Sequence, residues 1–152
     1  MNVNKTIDFC FRYRTNIEQA IAEKRLDPGI SKTGGSSGNA LRSDPTCNVA
    51  LRDVDEIECV EVPYGAAIGA QRDVFTLRHP ERWLKATKMT EMYYSGKLQG
   101  QLIHDKYRLS LDQKAICCNL NIGKSLYFVL QNDIFCFATG VAAGLGLVTP
   151  RR

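Results

Sequence analysis

The residues of this 152-residue chain with the widest chemical reach are two histidines, His79 and His104, and six cysteines at 10, 47, 59, 117, 118 and 136. A structural zinc site needs ligands in closely spaced pairs. No two cysteines form a CxxC pair and neither histidine lies beside one, so no metal is expected. The polar start MNVNKTIDF lacks the apolar core of a secretory segment, which points to reduced, mostly buried thiols in a cytoplasmic protein rather than a disulfide framework. Adjacent Cys117 and Cys118 would point in different directions on a helix, a poor arrangement for a redox pair. General acid–base chemistry fares no better: His104 and Asp105 are neighbours that face apart on a helix, and no nucleophile stands beside a base. Gly34 to Gly38 is not a phosphate loop, because Asn39 and Ala40 follow the last glycine where a Lys and a Ser or Thr are needed. No catalytic residue and no cofactor are therefore expected, and the chain does not read as an enzyme.

The elements that would carry a binding surface are mostly helical. Ile7, Cys10, Phe11, Ile17 and Ile21 recur at three- and four-residue intervals, predicting one helix over 4–26 that stops at Pro28-Gly29. Residues 28–43 are rich in Gly and Ser and read as a mobile loop, followed by a short helix over 45–54 after Asp44-Pro45. Ile57–Val62 and Asp73–Leu77 read as two strands of a hairpin around the loop 63–72. His79-Pro80-Glu81 opens another helix, with Trp83, Ala86, Thr90 and Tyr93 on one face and Gly96 as its stop. Tyr93, Tyr94, Tyr107 and Tyr127 read as core. Further helices are expected at about 98–108, 111–119 and 123–143. The apolar run of fifteen residues from Ile134 to Val148 is too short to span a bilayer, which takes about twenty, and is expected to dock on helix 4–26. The fold class is thus mainly α: an N-terminal helix (1–27), a Gly/Ser-rich loop (28–43), a short helix with a β-hairpin insertion (44–78), and a helical region (79–152) with a C-terminal helix-turn-helix at about 111–133.

Charge points to the same region. Residues 1–78 hold ten Lys and Arg against eleven Asp and Glu, whereas residues 79–152 hold ten against five, so the basic balance belongs to the second half. Such asymmetry suits a polyanion. Within that half, residues 113–132 fit a helix-turn-helix frame. Gln113 opens the first helix, Ile116 and Leu120 face inward, and small Cys117 sits where the helices approach. Asn121 takes the turn position that requires a positive φ, which Asn tolerates second only to Gly. Ile122 follows, and Tyr127 and Leu130 lock the second helix. Lys124, Ser125, Phe128, Val129 and Asn132 then face outward, with phosphate contacts expected from Lys106, Arg108, Gln113 and Lys114.

The segment Tyr107-Arg-Leu-Ser-Leu-Asp-Gln-Lys-Ala-Ile-Cys-Cys-Asn-Leu-Asn-Ile-Gly-Lys-Ser-Leu-Tyr127 resembles the sigma-70 region-4-like helix-turn-helix of small phage and prophage transcription regulators of the RinA/ArpU type. Gly34–Gly38, Ser43–Thr46 with Ala50–Arg52, and Arg78–Leu84 resemble stretches of prophage proteins with the same layout. The resemblance spans about 35–130 and implies a DNA-binding transcription regulator whose partners are double-stranded DNA and RNA polymerase. It departs from that pattern at Gly123, where a Ser or Thr cap is usual, and at Phe128 and Val129, where Arg or Lys is frequent. Those apolar residues leave few hydrogen bonds for base edges. They keep open a second reading, a protein-interaction or phage-assembly module of the small-terminase kind, and with the small-residue run 134–147 they suggest a homo-oligomer. No membrane partner is expected.

Overall fold

In a computed structural model of the chain, residues 2–26, 56–68 and 71–148 are described. The expected mobile loop 28–43 and the expected helix 45–54 lie outside them. The described residues are mainly helical, with one two-stranded antiparallel sheet. The chain divides into two compact units, one of residues 16–80 and one of residues 1–15 with 81–152.

The smaller unit contains most of helix α2 (Arg14–Leu26) and the hairpin of β1 (Cys59–Ile68) and β2 (Gln71–Arg78). Strand alternation is visible in its burial: Val60 and Val62 are buried while Cys59 and Glu61 are exposed, and across the ladder Val60 pairs with buried Leu77. The strands run further into the expected loop 63–72 than the apolar pattern suggested, and Gly65, with φ of 77°, stands where the register shifts between Tyr64 and Ile68. Asn16 Nδ2 donates to the Pro63 carbonyl at 2.9 Å, tying the helix to β1.

The larger unit is helical. Helix α1 (Val3–Arg12) starts at Asn2, whose side chain accepts from the Lys5 amide, and buries Thr6, Ile7, Phe9, Cys10 and Phe11. The single helix expected over 4–26 is broken at Tyr13, where the backbone leaves the helical region (φ −111°, ψ 31°) and starts again as α2. Both halves keep a three- to four-residue apolar spacing, so a break of one residue leaves almost no trace in the periodicity.

Helix α3 (Pro80–Tyr93) buries Trp83, Ala86, Thr87 and Thr90. The two threonine hydroxyls are satisfied inside the helix, by the Leu84 and Ala86 carbonyls. Tyr93, expected on the same buried face, is 52% exposed; Tyr94 takes the buried place instead. Tyr93 stacks on Phe137 with ring centroids 4.1 Å apart, and Lys97 Nζ lies 4.0 Å from its centroid.

After Gly96, whose φ of 77° turns the chain, α4 (Leu98–Ile103) continues into a π-helical turn at His104–Arg108. The helix expected over 98–108 thus changes winding halfway. Gly100 is required here, since a Cβ at this position would overlap the Tyr94 carbonyl. Helix α5 (Gln113–Asn119) and the 21-residue α6 (Lys124–Gly144) follow, and α6 packs against α1, α4 and α5.

The buried side of α6 is a stripe: Tyr127, Leu130, Ile134, Ala138 and Ala142. Because the helix runs on from Lys124, it exceeds the fifteen-residue run read from sequence and is, among the described helices, the one long and apolar enough to cross a membrane. Only 28% of its most apolar window is buried. Asp133 lies near its middle, where a charge in hydrocarbon costs roughly 2.5–3.5 kcal/mol. Gly146, with φ of 74°, closes the helix, and the amides of Gly146 and Leu147 return to the carbonyls of Ala143 and Ala142.

Candidate nucleic-acid interface

The region of greatest interest is two helices and the turn between them. Asp112 caps α5, its carboxylate accepting from the Ala115 amide at 2.7 Å, so the first helix starts at a defined residue. The helix ends at Asn119 with Leu120 as its C-cap, and Asn121 then adopts φ of 52°. This is one of three non-glycine residues with positive φ among those described, and it sits where the sequence frame required one. The turn is held by backbone bonds from Asn121 N to Cys118 O (3.2 Å) and from Ile122 N to Cys117 O (2.9 Å). Gly123 occupies the N-cap of α6 and supplies no side-chain bond, which follows from its missing side chain.

Burial sorts the residues of the frame into two sets. Ile116, Tyr127 and Leu130 are buried, and Leu120 and Ile122 are half-buried. Burial pushes the Tyr127 hydroxyl above its ordinary range, with smaller contributions from Cys117 and Asp8. Lys124, Ser125, Phe128, Val129 and Asn132 are exposed together over the first three turns of α6, and Lys114 is exposed on α5. Phe128 and Val129 are 51% and 55% exposed, a large apolar share for residues that do not contribute to a core.

The remaining expected contacts are placed differently. Gln113 turns inward: its Nε2 is buried with no hydrogen-bond partner, so it has no route to a backbone phosphate. Lys106 is only 14% exposed and its Nζ lies 3.5 Å from Asp8 Oδ1. Desolvation pulls its pKa down, against the opposing pull of the Asp8 carboxylate. Arg108 is bonded to Glu91 at 3.0 Å. Spacing along the chain brought these residues near the turn, but Lys106 is paired with Asp8, Arg108 is paired with Glu91, and Gln113 faces inward.

The supports of the two-helix unit were not read from sequence. Asp105 is buried, and its Oδ2 accepts from Asn119 Nδ2 at 2.8 Å, joining the π turn to α5. Tyr107 donates to Asp8 Oδ1 at 2.8 Å and stacks on Phe11 with centroids 5.0 Å apart, joining the same turn to α1. Burial first, and Asp8 second, push the Tyr107 hydroxyl above its ordinary range. A π turn has no compositional signature, and a polar residue with a partner 99 positions away cannot be recognised from local pattern. The described residues hold no group of three or more His, Cys, Asp or Glu suited to a metal ion. Comparison with family models, curated proteins and solved structures found no match to this chain.

Proposed function

We propose that the chain is a DNA-binding protein whose α5 and α6 form a helix-turn-helix, with the start of α6 as the element that enters the major groove. The observation that carries this reading is Asn121 at φ of 52°, in a turn whose flanking helices bury Ile116, Tyr127 and Leu130 and expose Lys124, Ser125, Phe128, Val129 and Asn132. The bonds from Asn121 N to Cys118 O and Ile122 N to Cys117 O are a common way for a helix to end, so it is the exposed polar and apolar face on the second helix, together with that turn, that supports the reading. The polar residues on the face are few, so base-edge hydrogen bonds are limited to Lys124, Ser125 and Asn132, with Phe128 and Val129 available for thymine methyl groups. Lys114 and Lys124 supply the phosphate contacts. The resemblance to phage late-gene regulators adds transcription control as the role, with RNA polymerase as a second partner.

Titration of a mixed-sequence duplex into isotopically labelled protein tests this reading through backbone amide shifts. Changes concentrated at Lys114 and Lys124–Asn132 are expected; changes elsewhere, or none at low salt, would overturn it. The exposed pair Phe128 and Val129 also favours the second reading, a protein contact made by the same face, for which duplex DNA would leave these amides unmoved.

A further inference from the structure

Phe128 and Val129 form the apolar centre of the α6 face, and the residues that bracket them limit what can sit there. At about 3.6 residues per turn, Ser125, Phe128, Val129 and Asn132 fall within about 100° of arc, and Lys124 lies about 40° beyond Phe128. Leu126, 43% exposed, lies off this face, about 60° beyond Val129. Ser125 precedes the pair by a turn and Asn132 follows it by another, so the apolar surface is short and has a hydrogen-bonding side chain at each end. The Tyr127 ring meets Phe128 edge-on, with centroids 5.5 Å apart, which steadies a side chain that is otherwise half in solvent. Two half-exposed side chains fall well short of the roughly 800 Å² that each partner buries in a stable protein interface. Their size suits single methyl groups.

The major groove presents such a group at C5 of a pyrimidine. Thymine carries a methyl there, unmodified cytosine carries hydrogen, and cytosine methylated at C5 presents the same methyl on the same edge. Residues 125 to 132 rise about 10 Å along the helix, close to three base-pair steps of about 3.4 Å. A helix lying along the groove therefore sets Ser125 and Asn132 over the outer pairs and Phe128 with Val129 over those between. A serine hydroxyl bonds to any base and an asparagine favours adenine, so telling a methylated pyrimidine from a bare one falls to the apolar pair.

We propose that this face selects duplexes by the C5-methyl groups of pyrimidines, thymine and 5-methylcytosine alike, with Phe128 and Val129 as the specificity-determining residues. The proposal rests on the DNA-binding reading and adds to it a sensitivity to cytosine methylation. A duplex of A·T pairs is compared by fluorescence anisotropy at low salt with the same duplex carrying uracil for every thymine, and a duplex of G·C pairs with its fully C5-methylated form. Every pyrimidine changes in each comparison, so the outcome does not depend on where the protein sits. Burying one methyl is worth about fourfold in affinity, so two contacts predict about a tenfold or greater preference for the methylated member of each pair. Phe128→Ser with Val129→Ser, both at exposed positions, should bind the members of each pair alike, its fold checked by circular dichroism. A preference that arose from groove shape would survive that change. Equal binding of methylated and bare duplexes by the parent chain overturns the proposal and leaves the DNA-binding reading standing, as does a preference that the double variant retains. No binding to any of the four duplexes overturns both.

Discussion

Asn119 donates through Nδ2 to the buried carboxylate of Asp105 at 2.8 Å, and this bond fixes the first helix of the candidate interface to the π turn before it. Without it Asp105 would keep only the longer approach of His104 Nδ1, at 3.5 Å. Asn119→Ala should therefore lower stability by about 1–3 kcal/mol, the range for leaving a buried polar group short of a partner. A urea melt with unchanged midpoint would show that the bond contributes nothing.

A left-handed residue at the turn has its own signature. At φ of 52°, Asn121→Gly should be neutral or slightly stabilising, whereas Asn121→Ala should cost about 1 kcal/mol from the Cβ clash in that region. Thermal denaturation of the two variants side by side distinguishes them; equal melting temperatures would contradict the turn geometry.

Alkaline pH should destabilise the protein. Burial raises Cys10 from an ordinary 9.0 to about 12, and raises Tyr94, Tyr107 and Tyr127 above their ordinary 10.0. A raised folded value means that the stabilising contribution is whole below the ordinary value and is lost as pH climbs from there toward the folded one. Lys106, shifted down by desolvation, works with the opposite sign, because its neutral form suits the fold better. Four groups oppose one, so melting temperature should fall progressively above about pH 9. Tyr107→Phe should lose about 1 kcal/mol at neutral pH, the net worth of the bond to Asp8, and show a shallower alkaline decline. A flat profile to pH 11 would contradict this.

Thiol reactivity should follow exposure. Cys59, Cys118 and Cys136 are exposed, whereas Cys10 is fully buried with its thiol held protonated. Alkylation near pH 8 followed by peptide mass spectrometry should label the first three in minutes and leave Cys10 untouched until denaturant is added. Early labelling of Cys10 would mean that α1 opens readily.

The parts of this architecture legible in the sequence were those with local causes. Asp112, Asn121 and the apolar spacing of Ile116, Tyr127 and Leu130 act within a turn or two, so the short helix, its turn and the start of α6 were readable from residue types alone. The α6 face was readable for the same reason. What failed was long-range commitment: Lys106 and Arg108 looked like phosphate contacts until Asp8 and Glu91, far away in sequence, proved to be their partners. Gln113 failed likewise, because which way its side chain turns at the head of α5 is decided by packing. The break at Tyr13 and the π turn leave the apolar periodicity nearly unchanged, so periodicity reads through both.

Whether the exposed face of α5 and α6 engages duplex DNA is decided by a fluorescence-anisotropy titration at a series of salt concentrations. With Lys106 and Arg108 held internally, Lys114 and Lys124 are the cations of that face, so log K should fall against log salt with a slope of about −2. The double variant Lys114→Ala with Lys124→Ala should flatten the slope toward zero and weaken binding equally for unrelated duplexes. No duplex binding at low salt, or binding that survives the double variant with its slope unchanged, would contradict the account.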